Sequence, residues 1–434
     1  MRDVWNTPEL VARDKAHTWH PFTQMQDWCD PDHEPLILVD GEGAIVRDSR
    51  GREYIDGNSS IWTNIHGHRH PRISAAIRQQ LDRIAHVSFL GTGNAPAAEL
   101  ADRLAALFPA GTLERVFFSD DGSTAIEAAL KMTTQFWQQN GQPQRTKFVA
   151  FENAYHGDTA GAASLGGIGT FHARFAGHQF PVLRVSDPDE IESLPEFQRG
   201  EIAAAVIEPL IQGAAGMRTW PRGLLRRLRE KCDAGGFFLI LDEILTGFGR
   251  TGTLFACEQE DVVPDFLCLA KGLTGGYLPL AATLTTERIF NGFLGRYDEL
   301  KTFFYGHSYT ANPLGCAAAL ANLEIFREEN VLANLQPKIR QMSDGLARLR
   351  ENPHVGEIRQ RGFLAGIDVR RVDGTSYPWQ ERTGGRVCEA ARAHGLLTRP
   401  ILDTLVLMPP LCTTREQLEK AIAALDAAIS EICR

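Results

Sequence analysis

A single lysine stands where an apolar segment of the sequence gives way to flexible glycines. Lys271 follows Phe266–Ala270 and precedes Gly272, Gly275 and Gly276, with no acidic residue among these neighbours. A buried ammonium is costly without a partner, so such a lysine extends towards solvent, pairs with a distant acid, or gives up its charge in covalent chemistry. The segment alone leaves all three alternatives open.

A second candidate for chemistry is the turn at Gly122 and Ser123, which joins an apolar segment, 116–118, to a helical pattern beginning at Thr124. The first turn of a helix carries unpaired N–H groups and the positive end of the helix dipole. A glycine there lets a phosphate approach the backbone, and a serine adds a hydroxyl. Neither a Walker sequence nor a G-x-G-x-x-G pattern is present, and the alternative is an ordinary helix cap made by Ser123 or Asp121.

Asp242 ends the apolar segment 237–241, just as Lys271 ends its own segment. In open α/β sheets ligands bind beyond the carboxyl ends of the strands, so these two side chains are expected at one edge of the same sheet. An aspartate in that place can hold a pyridinium nitrogen in its protonated form. The alternative is that Asp242 caps the residues that follow, Ile244–Thr246.

The segment Asn153–Asp158 follows another apolar segment, 148–151, and so also lies where a predicted strand ends. Tyr155 is suited to stack against a flat heteroaromatic ring, and Asp158 to pair with the ammonium group of a substrate. The alternative for Tyr155 is a half-buried side chain in an ordinary turn.

Together these motifs meet the requirements of one cofactor, pyridoxal 5′-phosphate (PLP). PLP needs a lysine for a Schiff base, an acid at its ring nitrogen and a helix start at its phosphate. We therefore predict that Lys271, Asp242 and Tyr155 are catalytic and contact the cofactor, and that Gly122 and Ser123 bind its phosphate.

Alternating strand and helix patterns position these residues and predict an α/β fold with a large, mostly parallel sheet flanked by helices. The predicted strands are 115–119, 147–151, 203–208, 237–241, 266–270 and 281–285, and the predicted helices are 124–139 and 223–234. Beyond residue 320, long amphipathic helices, strands at 363–369 and 404–408 and a closing helix at 414–432 predict a smaller α/β domain. We assign 61–320 to a large PLP-binding domain, 321–434 to the small domain, and 1–60, with short strands at 36–39, 44–47 and 53–55, to an N-terminal segment of the small domain.

Composition excludes several functional classes. The chain has 434 residues, 43% of them hydrophobic, and a net charge of -9 without a basic cluster, which argues against nucleic acid and membranes as partners. Because neither a signal peptide nor a membrane-spanning segment is evident, we expect a cytoplasmic protein with small-molecule substrates. Its eight cysteines are widely spaced, as in reduced proteins. The His66, His68 and His70 pattern is interrupted by Gly67 and followed by Pro71, so we expect a loop there and no metal site.

Over nearly its whole length the sequence resembles the class III, fold-type-I aminotransferases. The resemblance is carried by the segments Ile207–Met217, Asp242–Gly252 and Ala270–Gly276. It implies a PLP-dependent transaminase with Lys271 as the Schiff-base lysine and Asp242 at the pyridine nitrogen. It also implies a homodimer with active sites at the interface, where His307 and Ser308 belong to the cofactor-binding residues and Ser308 reaches a phosphate from the second subunit.

Within the family, four segments resemble the biotin-pathway members that aminate 8-amino-7-oxononanoate: 19–25, 59–68, 155–158 and 398–400. The substrate-binding residues that this resemblance implies are Phe22, Trp62, Tyr155, Asp158, Lys271, Gly306 and Arg399. Arg399 has the bidentate guanidinium suited to clamping the carboxylate of the keto substrate. For Arg399 and Arg250 taken alone, a solvated or structural ion pair is the alternative.

Three positions depart from the members that use S-adenosylmethionine as the amino donor. Phe22 replaces a tyrosine, Ile61 replaces the first of two adjacent tryptophans, and His307–Thr310 replaces Gly-Pro-Thr-Phe. This pattern is similar to that of relatives whose donor is lysine. S-adenosylmethionine and lysine are therefore alternative donors.

The expected reaction is a ping-pong transamination in which the donor amine displaces Lys271, and the freed lysine then moves a proton between substrate and cofactor. One alternative is a broader ω-amino-acid or ornithine-type aminotransferase, against which Trp62 and Phe22 beside Arg399 argue. Another is a non-catalytic protein that only holds the cofactor, against which the intact Lys271 and Asp242 argue.

Overall fold

A seven-stranded sheet organises the protein, whose structure, a computed structural model, describes residues 5–433. The strands are β1 Leu38–Glu42, β2 Ile45–Asp48, β3 Glu53–Asp56, β4 Arg115–Ser119, β5 Lys147–Phe151, β6 Leu183–Val185, β7 Ile202–Ile207, β8 Ile211–Gln212, β9 Arg218–Thr219, β10 Phe238–Asp242, β11 Phe266–Leu269, β12 Ala281–Thr285, β13 Val355–Gln360, β14 Ala365–Val369, β15 Leu396–Leu397, β16 Pro400–Ile401 and β17 Thr404–Leu407. The α-helices are α1 Thr7–His17, α2 Met25–Cys29, α3 Ser59–Trp62, α4 Pro71–Leu81, α5 Ala95–Ala105, α6 Gly122–Gln139, α7 Ala160–Leu165, α8 Gly169–His172, α9 Pro195–Gln198, α10 Leu224–Gly235, α11 Glu287–Asn291, α12 Pro313–Glu328, α13 Val331–Leu349, α14 Thr383–Ala393 and α15 Arg415–Ile432. None of the helices in residues 5–433 has both the length and the apolar character needed to cross a membrane.

The central sheet has the strand order β4-β12-β11-β10-β7-β5-β6. Its strands run parallel except β12, which is antiparallel to both of its neighbours. Asp242 on β10 lies opposite Cys268 on β11, so these two strands end side by side. The predicted large, mostly parallel sheet is therefore confirmed.

The ends of the strands follow the sequence prediction closely. The predicted strands 115–119, 147–151 and 281–285 match β4, β5 and β12, whereas β7, β10 and β11 differ by one residue at one or both ends. Hydrogen-bond pairing rather than apolar character sets those ends. The sequence pattern does not predict β6, because its central Arg184 interrupts the apolar run. Arg184 donates instead to the carbonyl oxygens of Ser164 and Leu165, both at 2.9 Å.

Helix α6 packs on the central sheet through the face that the sequence predicts. Ile126, Ala129, Leu130 and Trp137 are all buried, and the Trp137 indole N–H donates to the carbonyl oxygen of Ala203 at 3.0 Å. Burying a large apolar side chain stabilises a fold by roughly 1.5–3 kcal/mol. The start of α6 is therefore held firmly at the edge of the sheet where β4 ends.

Two four-stranded sheets lie outside the central one, with the orders β1-β2-β3-β15 and β13-β14-β17-β16. The first joins the N-terminal strands to the C-terminal part of the chain, since β3 pairs in parallel with β15. The fold thus contains a smaller α/β unit beside the large sheet, as predicted. The boundaries proposed for it, at residues 60 and 320, stay a prediction.

The three closely spaced histidines lie in an irregular segment between α3 and α4, as the glycine and proline predict. The His68 Nε2 lies 3.0 Å from an Asp56 carboxylate oxygen. The buried His66 instead packs against Phe326, with ring centroids 4.9 Å apart. These two rings therefore have separate partners.

Candidate active site

A cavity of about 680 Å³ opens at the carboxyl ends of the central strands. Its lining includes residues at or shortly after the ends of five of them: Asp120 after β4, Tyr155 after β5, Glu208 after β7, Asp242 at the end of β10 and Lys271 after β11. Parallel strands end at one edge of a sheet, which is why residues far apart in sequence meet there. The volume is in the range of small-molecule sites, roughly 300–1,000 Å³.

Most of the predicted site residues line this cavity. Those that do are Phe22, Trp62, Gly122, Ser123, Tyr155, Asp242, Lys271 and Arg399. Four others are outside its lining: Asp158, Gly306, His307 and Ser308. Asp158 nevertheless accepts a hydrogen bond from the Tyr155 hydroxyl at 2.8 Å, so it contacts a residue of the lining.

Lys271 adopts a backbone conformation that is uncommon for a residue with a side chain. Its φ is 44°, and it begins a 3₁₀ turn that ends at Thr274. Asn322 holds this turn by donating to the carbonyl oxygens of Gly272 and Leu273, both at 3.0 Å. Such a conformation costs of order 1–3 kcal/mol and persists only where the surroundings enforce it. The fold thus fixes the point from which the lysine side chain enters the cavity.

The Lys271 ammonium has no carboxylate within 4.0 Å among the described residues, and its Nζ lies 4.9 Å from the centre of the Trp62 ring. Burial lowers the pKa of Lys271, although the nearby Asp242 and Glu208 carboxylates oppose the shift. A lowered pKa favours the neutral amine, which is the nucleophilic form.

Two groups fix the Asp242 carboxylate. His156 Nδ1 lies 2.7 Å from one carboxylate oxygen, and the Ile244 backbone N–H donates to the other at 3.1 Å. The capping alternative is therefore correct in part, and the carboxylate lines the cavity as well. Sequence reasoning missed His156, because its 86-residue separation from Asp242 hides the pair.

At the start of α6, Asp121 rather than Ser123 is the cap. The Thr124 backbone N–H donates to the Asp121 side chain at 2.9 Å. The Ser123 hydroxyl accepts from the Asp158 N–H at 3.1 Å and lines the cavity. A side chain at Gly157, whose φ is 125°, would place its Cβ 2.0 Å from the Ser123 hydroxyl. The tight approach of these two turns requires glycine at 157.

Glu208 connects the turn of Tyr155 to the segment after β8. Its carboxylate accepts from the Tyr155 N–H at 3.1 Å and from the Gly213 N–H at 2.9 Å. Burial is the main reason that the pKa of Glu208 rises to about 7, and the neighbouring Asp242 adds to the effect. The pKa of the Tyr155 phenol is raised as well, by burial and then by Asp158.

Arg399 is an exposed residue in the lining of the cavity, which also includes the apolar Ile401 and Val406. Among the described residues no carboxylate lies within 4.0 Å of its guanidinium. The ion pair considered as the alternative for Arg399 is therefore not present within residues 5–433. An unpaired guanidinium in the lining of a cavity is suited to an anionic substrate group.

The ion pair considered above as an alternative for Arg250 is wrong. Its side chain is fully buried and donates to the carbonyl oxygens of Pro409 at 2.9 Å and Asn64 at 2.8 Å. Burial lowers the pKa of Arg250 to about 9. It ties the segments that flank the cavity together.

The segment that precedes α12 meets the turn between β4 and α6 through a side-chain pair. His307 Nδ1 lies 3.0 Å from an Asp120 carboxylate oxygen, and Asp120 lines the cavity. Ser308 and Gly306 are exposed to solvent within the single chain. Neither of these two residues lines the cavity.

The chemistry of the cavity suits PLP. An amine and a fixed carboxylate lie on neighbouring strands, and a helix start with a serine hydroxyl lies beyond β12. Ile244 also lines the cavity, where its side chain fills the space that a Cβ on Gly122 would need. Between them these groups offer partners for an aldehyde, a pyridine nitrogen and a phosphate.

Comparison with known proteins gives a consistent result over the whole chain. The family model for aminotransferase class-III matches residues 29–429. Adenosylmethionine-8-amino-7-oxononanoate aminotransferase from Nitratidesulfovibrio vulgaris is 50% identical, over 98% of this chain and 82% of the relative. The enzyme of the same name from Geobacter sulfurreducens is 44% identical over 99% of both chains.

Solved structures show the same relationship. The crystal structure of adenosylmethionine-8-amino-7-oxononanoate aminotransferase from Methanocaldococcus jannaschii superposes with a TM-score of 0.95 at 42% identity, over 98% of this chain and 100% of that one. An amine transaminase from an uncultivated Pseudomonas species, solved in its PLP-bound form, gives a TM-score of 0.89 at 33% identity, over 96% and 98% of the two chains.

Proposed function

This chain belongs to the class-III aminotransferases, which use PLP, and on that premise we propose that it converts 8-amino-7-oxononanoate to 7,8-diaminononanoate in biotin synthesis. The amino donor is S-adenosylmethionine or lysine. The observation that carries this proposal is the arrangement of charge in the cavity. The unpaired Arg399 lies in its lining, Asp158 contacts Tyr155, and the Lys271 amine and the Asp242 carboxylate lie at the ends of neighbouring strands.

The substrate has groups that match these residues. It carries a carboxylate at one end of an unbranched aliphatic chain and an amine next to its ketone at the other end. We propose that Arg399 binds the carboxylate and that Asp158, through its contact with Tyr155, receives the ammonium. Ile401 and Val406 then cover the aliphatic chain, as expected for an apolar wall beside a guanidinium.

We propose that Lys271, Asp242, Ser123 and Gly122 hold the cofactor, with Tyr155 against its ring. When bound, PLP supplies an aldehyde and an electron-poor ring on which an amino group can be exchanged. Asp242, fixed by His156, holds a proton at the pyridine nitrogen. Lys271 Nζ, whose pKa is lowered by burial, accepts and returns the proton at the reacting carbon.

A homodimer is part of the proposal. Two stretches of the single chain leave large apolar side chains exposed: Leu81, Ile84 and Leu90 in one, and Leu294, Tyr297, Leu300, Phe304 and Tyr309 in the other. The ring centroids of His86 and Tyr309 are 4.6 Å apart, so the two stretches adjoin. Large contiguous apolar patches are rare on monomers, which supports their burial against a second copy. Ser308 lies in the second stretch, where it would reach the partner's phosphate.

A cytoplasmic location also remains part of the proposal. All eight cysteines are free thiols, and most of them are buried in the fold. Unpaired thiols of this kind are typical of proteins in reducing compartments.

One assay tests the proposed function directly. Purified protein is incubated with 8-amino-7-oxononanoate and either S-adenosylmethionine or lysine, and the diamine product is quantified. Formation of 7,8-diaminononanoate with one donor is expected. Turnover of general ω-amino acids with pyruvate, but none of the oxononanoate, would replace this proposal with the broader aminotransferase function.

A further inference from the structure

Three aromatic rings form one side of the cavity, which we call the aromatic wall: Phe22, Tyr155 and Phe171. Phe171 contacts both of the others by its edge or face. Its ring centroid lies 5.5 Å from that of Phe22 at an interplanar angle of 77°, and 6.1 Å from that of Tyr155 at 85°. Edge-to-face pairs at these distances are favourable, so Phe171 links the N-terminal segment to the turn after β5.

The backbone of Phe22 supports this arrangement. Phe22 is 62% exposed, and its φ of 51° lies in a region that aromatic residues seldom adopt. Among the described residues, the aromatic ring that packs against Phe22 is that of Phe171. Phe171 therefore gives the Phe22 ring a defined place at the mouth of the cavity.

Tyr155 is held from behind by the residue next to Phe171. The rings of Tyr155 and His172 are stacked, with centroids 5.9 Å apart and planes within 14°. Tyr155 lines the cavity and His172 does not, so His172 covers the outer face of the tyrosine. The Tyr155 hydroxyl donates to Asp158 at 2.8 Å, and the ring is thereby fixed at both its face and its tip.

His172 acts through this stacking rather than through charge. Its ring is buried, and neither of its nitrogens has a hydrogen-bond partner among residues 5–433. The distance of 3.9 Å from Nε2 to an Asp158 oxygen is too long for a hydrogen bond. Burial also lowers the pKa of His172, which favours the neutral ring. A Cβ at Gly166 would lie 2.2 Å from this ring, so the backbone packs directly against it.

We propose that Phe171 is a specificity-determining residue for the acceptor and that His172 is a positioning residue for Tyr155. Phe171 takes up space in the cavity beside Phe22 and Tyr155, where a bulky substituent on the acceptor would otherwise fit. His172 keeps Tyr155, and with it Asp158, at a fixed distance from the reacting end. This inference rests on the proposed function and extends it to the class of acceptor, a keto acid with a flexible chain and no bulky substituent.

The test of Phe171 compares acceptors. Phe171→Ala is expected to raise the KM for 8-amino-7-oxononanoate about tenfold, with kcat within about twofold, and to increase turnover of a bulky aryl ketone relative to the parent. Phe175→Ala is the matched control, because Phe175 is 57% exposed in the same segment and does not line the cavity. An unchanged KM together with an unchanged acceptor preference would overturn the assignment of Phe171.

The test of His172 uses two substitutions. His172→Phe keeps a flat ring on Tyr155 and is expected to stay within about threefold of the parent KM, whereas His172→Ala is expected to raise KM about tenfold with less effect on kcat. The affinity for the acceptor, measured from the quenching of tryptophan fluorescence, gives a second readout that does not depend on turnover. Equal losses in both variants, in KM and in binding, would show that stacking is not the role of His172.

The parent enzyme separates this inference from the proposed function. If the parent does not aminate the oxononanoate, the proposed function fails. The ratios of variant to parent are then measured with the acceptor that the parent does use. If Phe171→Ala no longer prefers unbranched acceptors over bulky ones, the inference is supported in either case. If the variant keeps the preference of the parent, the inference is overturned.

Discussion

His156 Nδ1 lies 2.7 Å from an Asp242 carboxylate oxygen, and both side chains are buried. The pair fixes the carboxylate that faces the cavity from β10. Asp242 thus owes its position to a residue on the turn after β5, two strands away in the sheet. The Ile244 backbone N–H holds the other carboxylate oxygen, at 3.1 Å.

We expect His156→Ala to remove the side-chain contact that orients the Asp242 carboxylate. Loss of a hydrogen bond to a charged group costs roughly 1.5–3 kcal/mol, so the half-reaction with donor should slow about tenfold or more. Stopped-flow absorbance measures that rate, and equilibrium titration measures PLP affinity. The double variant with Asp242→Asn should be no slower than Asp242→Asn alone. Additive losses would show that the two residues act independently.

Lys271→Ala should abolish covalent attachment of the cofactor. The lysine is the amine in the cavity that lies within 4.9 Å of the Trp62 ring, and alanine leaves no nucleophile there. Treatment with borohydride followed by intact-mass analysis is expected to add the mass of reduced PLP to the parent and nothing to the variant. The same added mass on the variant would assign the attachment to another lysine.

Arg399→Ala is expected to raise the KM for the acceptor about tenfold to a hundredfold, because a charge-assisted, bidentate contact to a carboxylate is lost. The kcat at saturating acceptor should change less, since Arg399 lies away from the reacting carbon. Arg386→Ala, at an exposed position on α14, is the matched control. A KM equal to that of the parent would remove Arg399 from the substrate site.

Phe22→Tyr tests the choice of amino donor. Phe22 lines the mouth of the cavity, and a tyrosine there would add a hydroxyl beside the bound donor. We expect the ratio of kcat/KM for S-adenosylmethionine to that for lysine to rise in the variant. Parallel assays with the two donors measure this ratio. If the ratio is the same in parent and variant, position 22 does not select the donor.

The buried His66 should make the fold sensitive to acid. Burial lowers the pKa of His66 from 6.5 to about 3, so between these values the unfolded chain binds a proton that the folded chain does not. The free energy of unfolding therefore falls as the pH decreases from 6.5 towards 3, by up to about 1.4 kcal/mol per pH unit for this group.

Replacing His66 tests that contribution. His66→Asn cannot take up the proton, so its stability deficit relative to the parent should shrink as the solution is acidified from pH 7 to pH 4.5. Urea midpoints at each pH measure the deficit, and His17→Asn, at an exposed position on α1, serves as the control. A deficit that is independent of pH would show that His66 does not carry this sensitivity.

The sequence predicts the parts of the site that follow apolar strands. Gly122, Tyr155, Asp242 and Lys271 each lie at or shortly beyond the end of such a strand, and the geometry of a parallel sheet then brings them to one edge. The strands themselves are recognisable because both of their faces are buried, which gives continuous apolar runs.

The remaining parts depend on contacts that no local pattern records. His156 meets Asp242 across 86 residues, Arg250 reaches the carbonyl of Pro409 across 159 residues, and Phe171 sits in a short helix without strand signals around it. Arg250 in particular is charged and yet fully buried, which composition alone would place at the surface. Such residues become visible only when the packing of distant segments is known.

The antiparallel strand β12 sets the spacing between two strands that carry residues of the candidate site. It separates β4 from β11, so the ends of these two strands lie two strand spacings apart, roughly 9–10 Å, and the end of β10, where Asp242 lies, is one spacing further along. This gap is wider than a single aromatic ring. The turn at Gly122 and the side chain of Lys271 therefore both have to extend over the intervening strand to contact one small ligand.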